Sequence, residues 1–238
     1  MADALAFLHT AQPHVQTFGR LVRDAAPDLE VRHLVMEDLL ADARVVGIDN
    51  AALVKRVQQA MREAASDGAA VVVCTCSTIG GIAEKTATGG AFSALRIDRA
   101  MADRAVRTGP RVLIVAAVES TLEPTTALIV SAATQAGVGT RPSALLVEEA
   151  WAHFQAGDTG RYVETLAAAI RGAVGKADVV VLAQASMAPV TPLLADLGID
   201  VLSSPGLGVA HAVATLRASG TAWNLNTINA TRPSSIYS

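Results

Sequence analysis

Aromatic side chains are scarce in this 238-residue chain, at 3% of the composition. So few rings exclude base-stacking surfaces and aromatic-lined sugar grooves. Charge is also thin: Asp, Glu, Lys and Arg make up 17%, and the net charge is −3. That leaves no cationic footprint for nucleic acid. Cysteine occurs twice, as Cys74 and Cys76. The pair shares one strand candidate and cannot staple distant segments, so no disulfide framework is expected. A Cys-x-Cys metal site needs further ligands, and none stands at a suitable spacing, so no metal is expected. No apolar run of about 18 residues free of charge is present, so no membrane-spanning helix is expected. The stretch Met1 to Leu5 has no basic segment and no cleavage pattern, so no signal peptide is expected and a reducing cytoplasm is the predicted compartment. Walker lysine, Gly-x-Ser-x-Gly and His-Glu-x-x-His motifs are lacking. Gly206-Leu207-Gly208-Val209-Ala210-His211 only half copies a dinucleotide fingerprint. His211 stands where the third glycine belongs and no strand with a ribose-binding acid follows, so nucleotide binding is rejected.

What remains is apolar: 51% hydrophobic residues and a mean hydropathy of +0.38, the opposite of a disordered chain. The apolar runs alternate in length. Leu5–Leu8, Leu29–Val35 and Val71–Cys76 read as strands, the last apolar on both faces, as a buried central strand of a parallel sheet requires. Between them lie helices over Val15–Val22 and over a segment capped by Asp49 or Asn50, with Leu53, Val54, Val57, Met61 and Ala64 on one face and Gly68 as its stop. The second half repeats the scheme. Strands are expected at Val112–Val118, Ser143–Val147, Val179–Leu182 and Ile199–Leu202; helices at Thr125–Ala136, Arg161–Val174 and around His211–Leu216, followed by a polar tail. This alternation predicts an α/β fold.

The halves can be superposed as sequences. Ala70 to Thr78 aligns without gaps to Asp178 to Ser186, and at the same offset of about 108 Leu5–Leu8 falls on Leu113–Ala116. A duplicated α/β unit follows. Ligands of open parallel sheets sit beyond the carboxyl ends of the strands. Two units facing each other therefore place Ser77, Thr78, Gln184 and Ser186 around one cleft.

Cys76 is the leading candidate for chemistry. It closes a buried strand, and backbone N–H groups of the following Ser77-Thr78-Ile79-Gly80-Gly81 favour a thiolate and a substrate carboxylate. The alternative is a buried structural cysteine; Cys74, deeper in the strand, fits that description better. A second cluster is Glu119 to Thr125. Its hydroxyls on Ser120, Thr121 and Thr125 suit a carboxylate, and Ser120 or Thr121 with Glu123 and Pro124 equally suits a helix start. Thr10 lies in a polar loop after the first strand, between His9 and His14; either histidine suits contact with a substrate, but each reads first as a plain surface residue. Specificity is assigned to loops at Thr86–Phe92 and Glu148–Asp158.

These motifs resemble the aspartate/glutamate racemase superfamily, with its hydantoin racemases, maleate isomerases and arylmalonate decarboxylases. The resemblance is carried by residues 71–80, by Arg96-Ile97-Asp98, by Glu119 to Thr125 and by Val180 to Met187. It implies two flavodoxin-like lobes related by a pseudo-two-fold, here residues 1–98 with 206–238 and residues 99–205, and an active site in the cleft between them. It implies no cofactor, a small carboxylate or amino-acid substrate, and a homodimer or larger homo-oligomer. By the same resemblance, Cys76 is one of two catalytic thiols, and Thr10, Ser77, Thr78, Ser120, Thr121, Thr125, Gln184 and Ser186 bind substrate. The second thiol of the family falls on Gln184. A carboxamide neither takes nor gives a proton at neutral pH; it only orients or hydrogen-bonds. Three readings stay open: a cofactor-independent racemase or related isomerase, a single-cysteine decarboxylase or cis–trans isomerase, and a non-catalytic carboxylate binder.

Overall fold

The computed structural model describes residues 4–230, with side chains in the last helix described through Ser219. Strands β1 (Ala4–His9), β2 (Glu30–Val35), β3 (Val71–Cys74) and β4 (Ser93–Arg96) form one parallel sheet in the order β2-β1-β3-β4. Strands β5 (Arg111–Ala116), β6 (Arg141–Leu146), β7 (Val179–Leu182) and β8 (Asp200–Ser203) form a second in the order β6-β5-β7-β8. The expected two-lobed α/β architecture is present. The central strands β1, β3 and β7 are buried along their whole length, as strands covered on both faces must be.

Helices cover both faces of each sheet. On the first, α2 (Glu37–Val46), α3 (Ala51–Ala64) and α4 (Ser77–Glu84) lie over Ala4, Ala6, Leu8, Val72 and Cys74. On its other face α1 (Pro13–Ala25) and α9 (Ser204–Ala230) lie over Leu5, Phe7, Val71 and Val73. On the second sheet α5 (Arg99–Thr108) and α6 (Leu122–Ala136) cover Val112, Ile114, Val179 and Val181. Helices α7 (Glu148–Gln155) and α8 (Thr159–Ala173), with a 3₁₀ segment at Ala185–Leu197, cover Leu113, Val115, Val180 and Leu182.

The duplication is real, but its register differs from the sequence superposition. Leu5 pairs with Val71, whereas Val112 pairs with Val179. Strand β3 maps onto β7 at the expected offset of 108, but β1 maps onto β5 at 107. One residue matters, because it exchanges the two faces of a strand. Leu5 and Phe7 correspond to Val112 and Ile114, which share the equivalent face, not to Leu113 and Val115.

Several elements had no readable pattern. Helices α2, α5 and α7 and strand β4 were unassigned, and β4 is four residues long with Arg96 its one buried residue. Strand β3 ends at Cys74, so Thr75 and Cys76 leave the ladder and Cys76 becomes the N-cap of α4. The last helix starts at Ser204, before His211, and its backbone continues to Ala230 into the segment expected as a polar tail; residues 231–238 lie outside the described residues. Of the two glycines of the half-fingerprint, Gly208 serves packing: a Cβ there would sit 2.1 Å from the Ile97 carbonyl oxygen, whereas at Gly206 it would meet nothing. No helix among the described residues is long and apolar enough to cross a membrane.

Candidate active site

The carboxyl ends of β1, β3, β5 and β7 point at one small cavity of about 50 Å³. Thr10, Cys76, Ser77, Thr78, Thr121, Gln184 and Ser186 all line it. Seven of the nine sequence-derived site residues thus meet at one point. Ser120 and Thr125 are not in the lining. Thr125 is fully buried in α6, and the hydroxyls of both have no hydrogen-bond partner. The wall also contains Thr75, His14, Leu40, Val118, Trp151 and Phe154, none of them individually assigned to the site from the sequence. Trp151 and Phe154 come from the segment expected as a specificity loop, but it is helix α7. Their three-residue spacing puts both on one helix face, rings stacked at 4.9 Å.

Cys76 is 7% exposed and Cys74 0%. The Cys74 thiol lies in the core, 3.7 Å from the Cys76 carbonyl oxygen to which it donates. Burial first, then the neighbouring Cys76, push its pKa up, so Cys74 stays a thiol. Cys76 occupies the N-cap position of α4 without using its side chain as a cap. The first-turn N–H groups of α4 therefore lack an intrahelical acceptor and favour an anion beside the sulfur. Beneath α4, Arg96 donates to Asp98 at 2.6 and 3.0 Å and to the Ser77 carbonyl at 3.4 Å. Burial opposes the Arg96 charge, but the Asp98 carboxylate holds the pKa raised. This buried pair fixes the turn that carries Cys76.

Across the cleft Gln184 stands two residues beyond β7, as Cys76 stands two beyond β3. The Ala117 N–H donates to its Oε1 at 2.6 Å. A backbone N–H only donates, so the amide orientation is set and the NH₂ group is left as donor. Two hydroxyl contacts join the lobes: Ser77 donates to the Ala183 carbonyl at 2.7 Å, and Thr78 and Thr121 hydroxyls meet at 3.4 Å. Ser186 is bonded to the Tyr162 hydroxyl at 2.8 Å. Burial pushes that phenol up to about 12 despite the Ser186 contact, so it is no base for the serine.

His9 is not the surface residue expected, and His14 and His33 are half-buried. His9 is fully buried, its Nδ1 2.8 Å from Thr75 Oγ1 and its Nε2 2.8 Å from His33 Nδ1. Burial, then repulsion from His14 and His33, lower its pKa to about 3; burial lowers that of His14 to about 4. Burial and then Arg23 lower that of His33. No Asp, Glu, Lys or Arg lines the cavity. Among the described residues no cluster of three or more His, Cys, Asp or Glu is arranged to hold a metal ion.

A sequence search among curated proteins finds no match. Structurally the chain is similar to aspartate racemase of Picrophilus torridus (14% identity, 90% of this chain and 94% of that one, TM-score 0.66). It is also similar to glutamate racemase of Francisella tularensis in complex with D-glutamate (14% identity, 91% and 82%, TM-score 0.67). A third similar structure is a mutant of arylmalonate decarboxylase with associated sulfate (16% identity, 90% and 93%, TM-score 0.55). At these identities the likeness shows the fold. The Asp/Glu/Hydantoin racemase family profile matches residues 10–212. With two parallel sheets meeting at one cleft and a match over most of its length, the chain belongs to the Asp/Glu/hydantoin racemase family.

Proposed function

We propose that this protein is a cofactor-independent racemase or closely related isomerase that acts at the carbon next to a carboxylate through Cys76. We propose further that its lobes divide into residues 1–98 with 206–238 and residues 99–205. The observation that carries the reading is Cys76 itself: a cysteine at an uncapped helix N-terminus, in the wall of a small inter-lobe cavity. In the reaction the Cys76 thiolate removes the Cα proton. The negative charge spreads onto the carboxylate, where the α4 N–H groups, the Thr10, Thr78 and Thr121 hydroxyls and the Gln184 NH₂ stabilise it as it develops. On the usual measure one water needs ~10–15 Å³, so a cavity of about 50 Å³ takes only the reacting head of a substrate. With no cationic side chain in the lining and Leu40, Val118, Trp151 and Phe154 around it, the remainder of that substrate is apolar or neutral rather than a second carboxylate.

Gln184 supports a second reading. With a carboxamide where the family has its other thiol, Cys76 serves one-sided chemistry, protonating the enediolate left by decarboxylation or adding to an activated double bond. One experiment separates the readings. Phenylglycine, phenylalanine, aspartate, phenylmalonate and maleate are each incubated with the protein in D₂O and followed by ¹H NMR and chiral chromatography. Racemisation gives inverted, deuterated product; the second reading gives CO₂ loss or a shifted double bond. Cys76→Ala abolishes either, by at least about 10³-fold, with the fold intact. Equal turnover in Cys76→Ala and wild type overturns both, and thermal stabilisation without turnover leaves a carboxylate binder.

A further inference from the structure

We propose that His14 is the second proton-transfer residue of this site, the partner of Cys76 in place of the family's other thiol. This rests on the Cys76 reading above and adds to it. A reaction that returns a proton to Cα needs a second group able to carry one, and Gln184 is not such a group. The cavity wall narrows the choice. Of its lining side chains, only Cys76 and His14 carry a thiol or an imidazole; the rest are hydroxyls, a carboxamide, an indole and apolar groups.

Other nearby candidates are already engaged. His9 has both ring nitrogens in contacts with Thr75 and His33, and Tyr162 is bonded to Ser186. His14 differs. Its Nδ1 is buried and has no hydrogen-bond partner, while the residue as a whole keeps accessible surface and lines the cavity, so the ring is not committed to a protein partner as that of His9 is. Its ring is held edge-on between His9 at 6.0 Å and Phe18 at 5.8 Å, and its backbone N–H is tied to the Ala11 carbonyl at the entrance to α1. The ring is thus positioned rather than free. A cavity of about 50 Å³ brings every group in its wall within reach of one small molecule. Burial favours the neutral imidazole, ready to accept a proton, whereas a thiolate on Cys76 in the same wall favours the imidazolium, so the charge state of the ring follows that of the sulfur; His9 is the ionisable group packed against it, and it is neutral.

The proton balance closes in both directions. Starting from thiolate and imidazolium, Cys76 takes the Cα proton to become a thiol, and His14 gives its proton to the carbanion to become neutral. Starting from thiol and imidazole, His14 takes the Cα proton and Cys76 returns one. Solvent exchange between the two groups interconverts the starting forms, and no oxidant or cofactor is consumed.

The test uses the full chain. Carbamidomethylation of Cys76 by iodoacetamide is followed by mass spectrometry from pH 5 to 10 in wild type, His14→Gln and His14→Ala, with melting curves to confirm folding. Coupling between the two groups puts two ionisations in the wild-type rate profile and one in each variant, with Cys76 reactivity at pH 7 changed at least about tenfold. Added imidazole restores the second ionisation in His14→Ala, which a merely structural role for the ring would not produce. Superimposable profiles in folded variants overturn the proposal. The D₂O exchange assay separates its failure from that of the Cys76 reading. If alkylating Cys76 stops exchange while His14→Gln exchanges at the wild-type rate, only the role of His14 falls; if alkylated protein still exchanges, the Cys76 reading falls with it.

Discussion

At the scale of single residues, two cysteines two positions apart do different things because the ladder ends between them. Cys74 is still in β3 and packs in the core; Cys76 has left it and faces the cleft. Cys74→Ala should therefore cost about 1–2 kcal/mol by lost burial and leave turnover intact, measured by urea denaturation beside the exchange assay. The histidines predict a pH effect. His9 and His14 have folded pKa values of about 3 and about 4, below the unfolded value, so the unfolded chain binds more protons between these limits. Stability should be fully present above about pH 6.5 and fall by a few kcal/mol as pH drops towards 4. His9→Asn should flatten that slope in denaturant titrations at a series of pH values; an unchanged slope would show that His9 is not buried neutral. In the sequence, a histidine beside a short polar loop gave no sign of burial. Only the approach of β2 and α1 closes over it.

At the scale of elements, caps and close approaches set the site. Asn50 accepts from the Ala52 and Leu53 N–H groups at 3.0 and 3.2 Å, and Asn50→Ala should cost about 1 kcal/mol in a thermal or urea melt. That cap was readable, because Asn before a periodic apolar run has a local cause. The reason for a glycine in the first turns of α9 was not. Gly208 is dictated by the Ile97 carbonyl, a neighbour over a hundred positions away in the chain. Gly208→Ala forces α9 off the first sheet and should destabilise by about 3 kcal/mol or more, read as a large drop in melting temperature. Helix α7 also escaped notice, since its eight residues are too few for a periodic signal to stand out, yet it supplies two of the cavity's apolar walls.

At the scale of the whole molecule, polar contacts between the lobes include Ser77 to Ala183, Thr78 to Thr121 and the Glu84–Arg99 ion pair. Ser77→Ala should lower stability by about 1 kcal/mol and raise KM more than it lowers kcat, since the lost bond holds the lobes together rather than touching the reacting carbon. An unchanged KM would separate cleft closure from this bond. The amino-acid order by itself determined the α/β class, the buried central strands, the duplication and most of the hydroxyls around Cys76. Those features arise from local alternation and from residues adjacent in the chain. The tertiary structure alone decided the one-residue shift between β1 and β5, the burial of His9, the exclusion of Ser120 and Thr125 from the cavity and the entry of Trp151 and Phe154 into it. Each of these depends on which surface packs against which, and side-chain direction after packing is a property of contacts between distant segments.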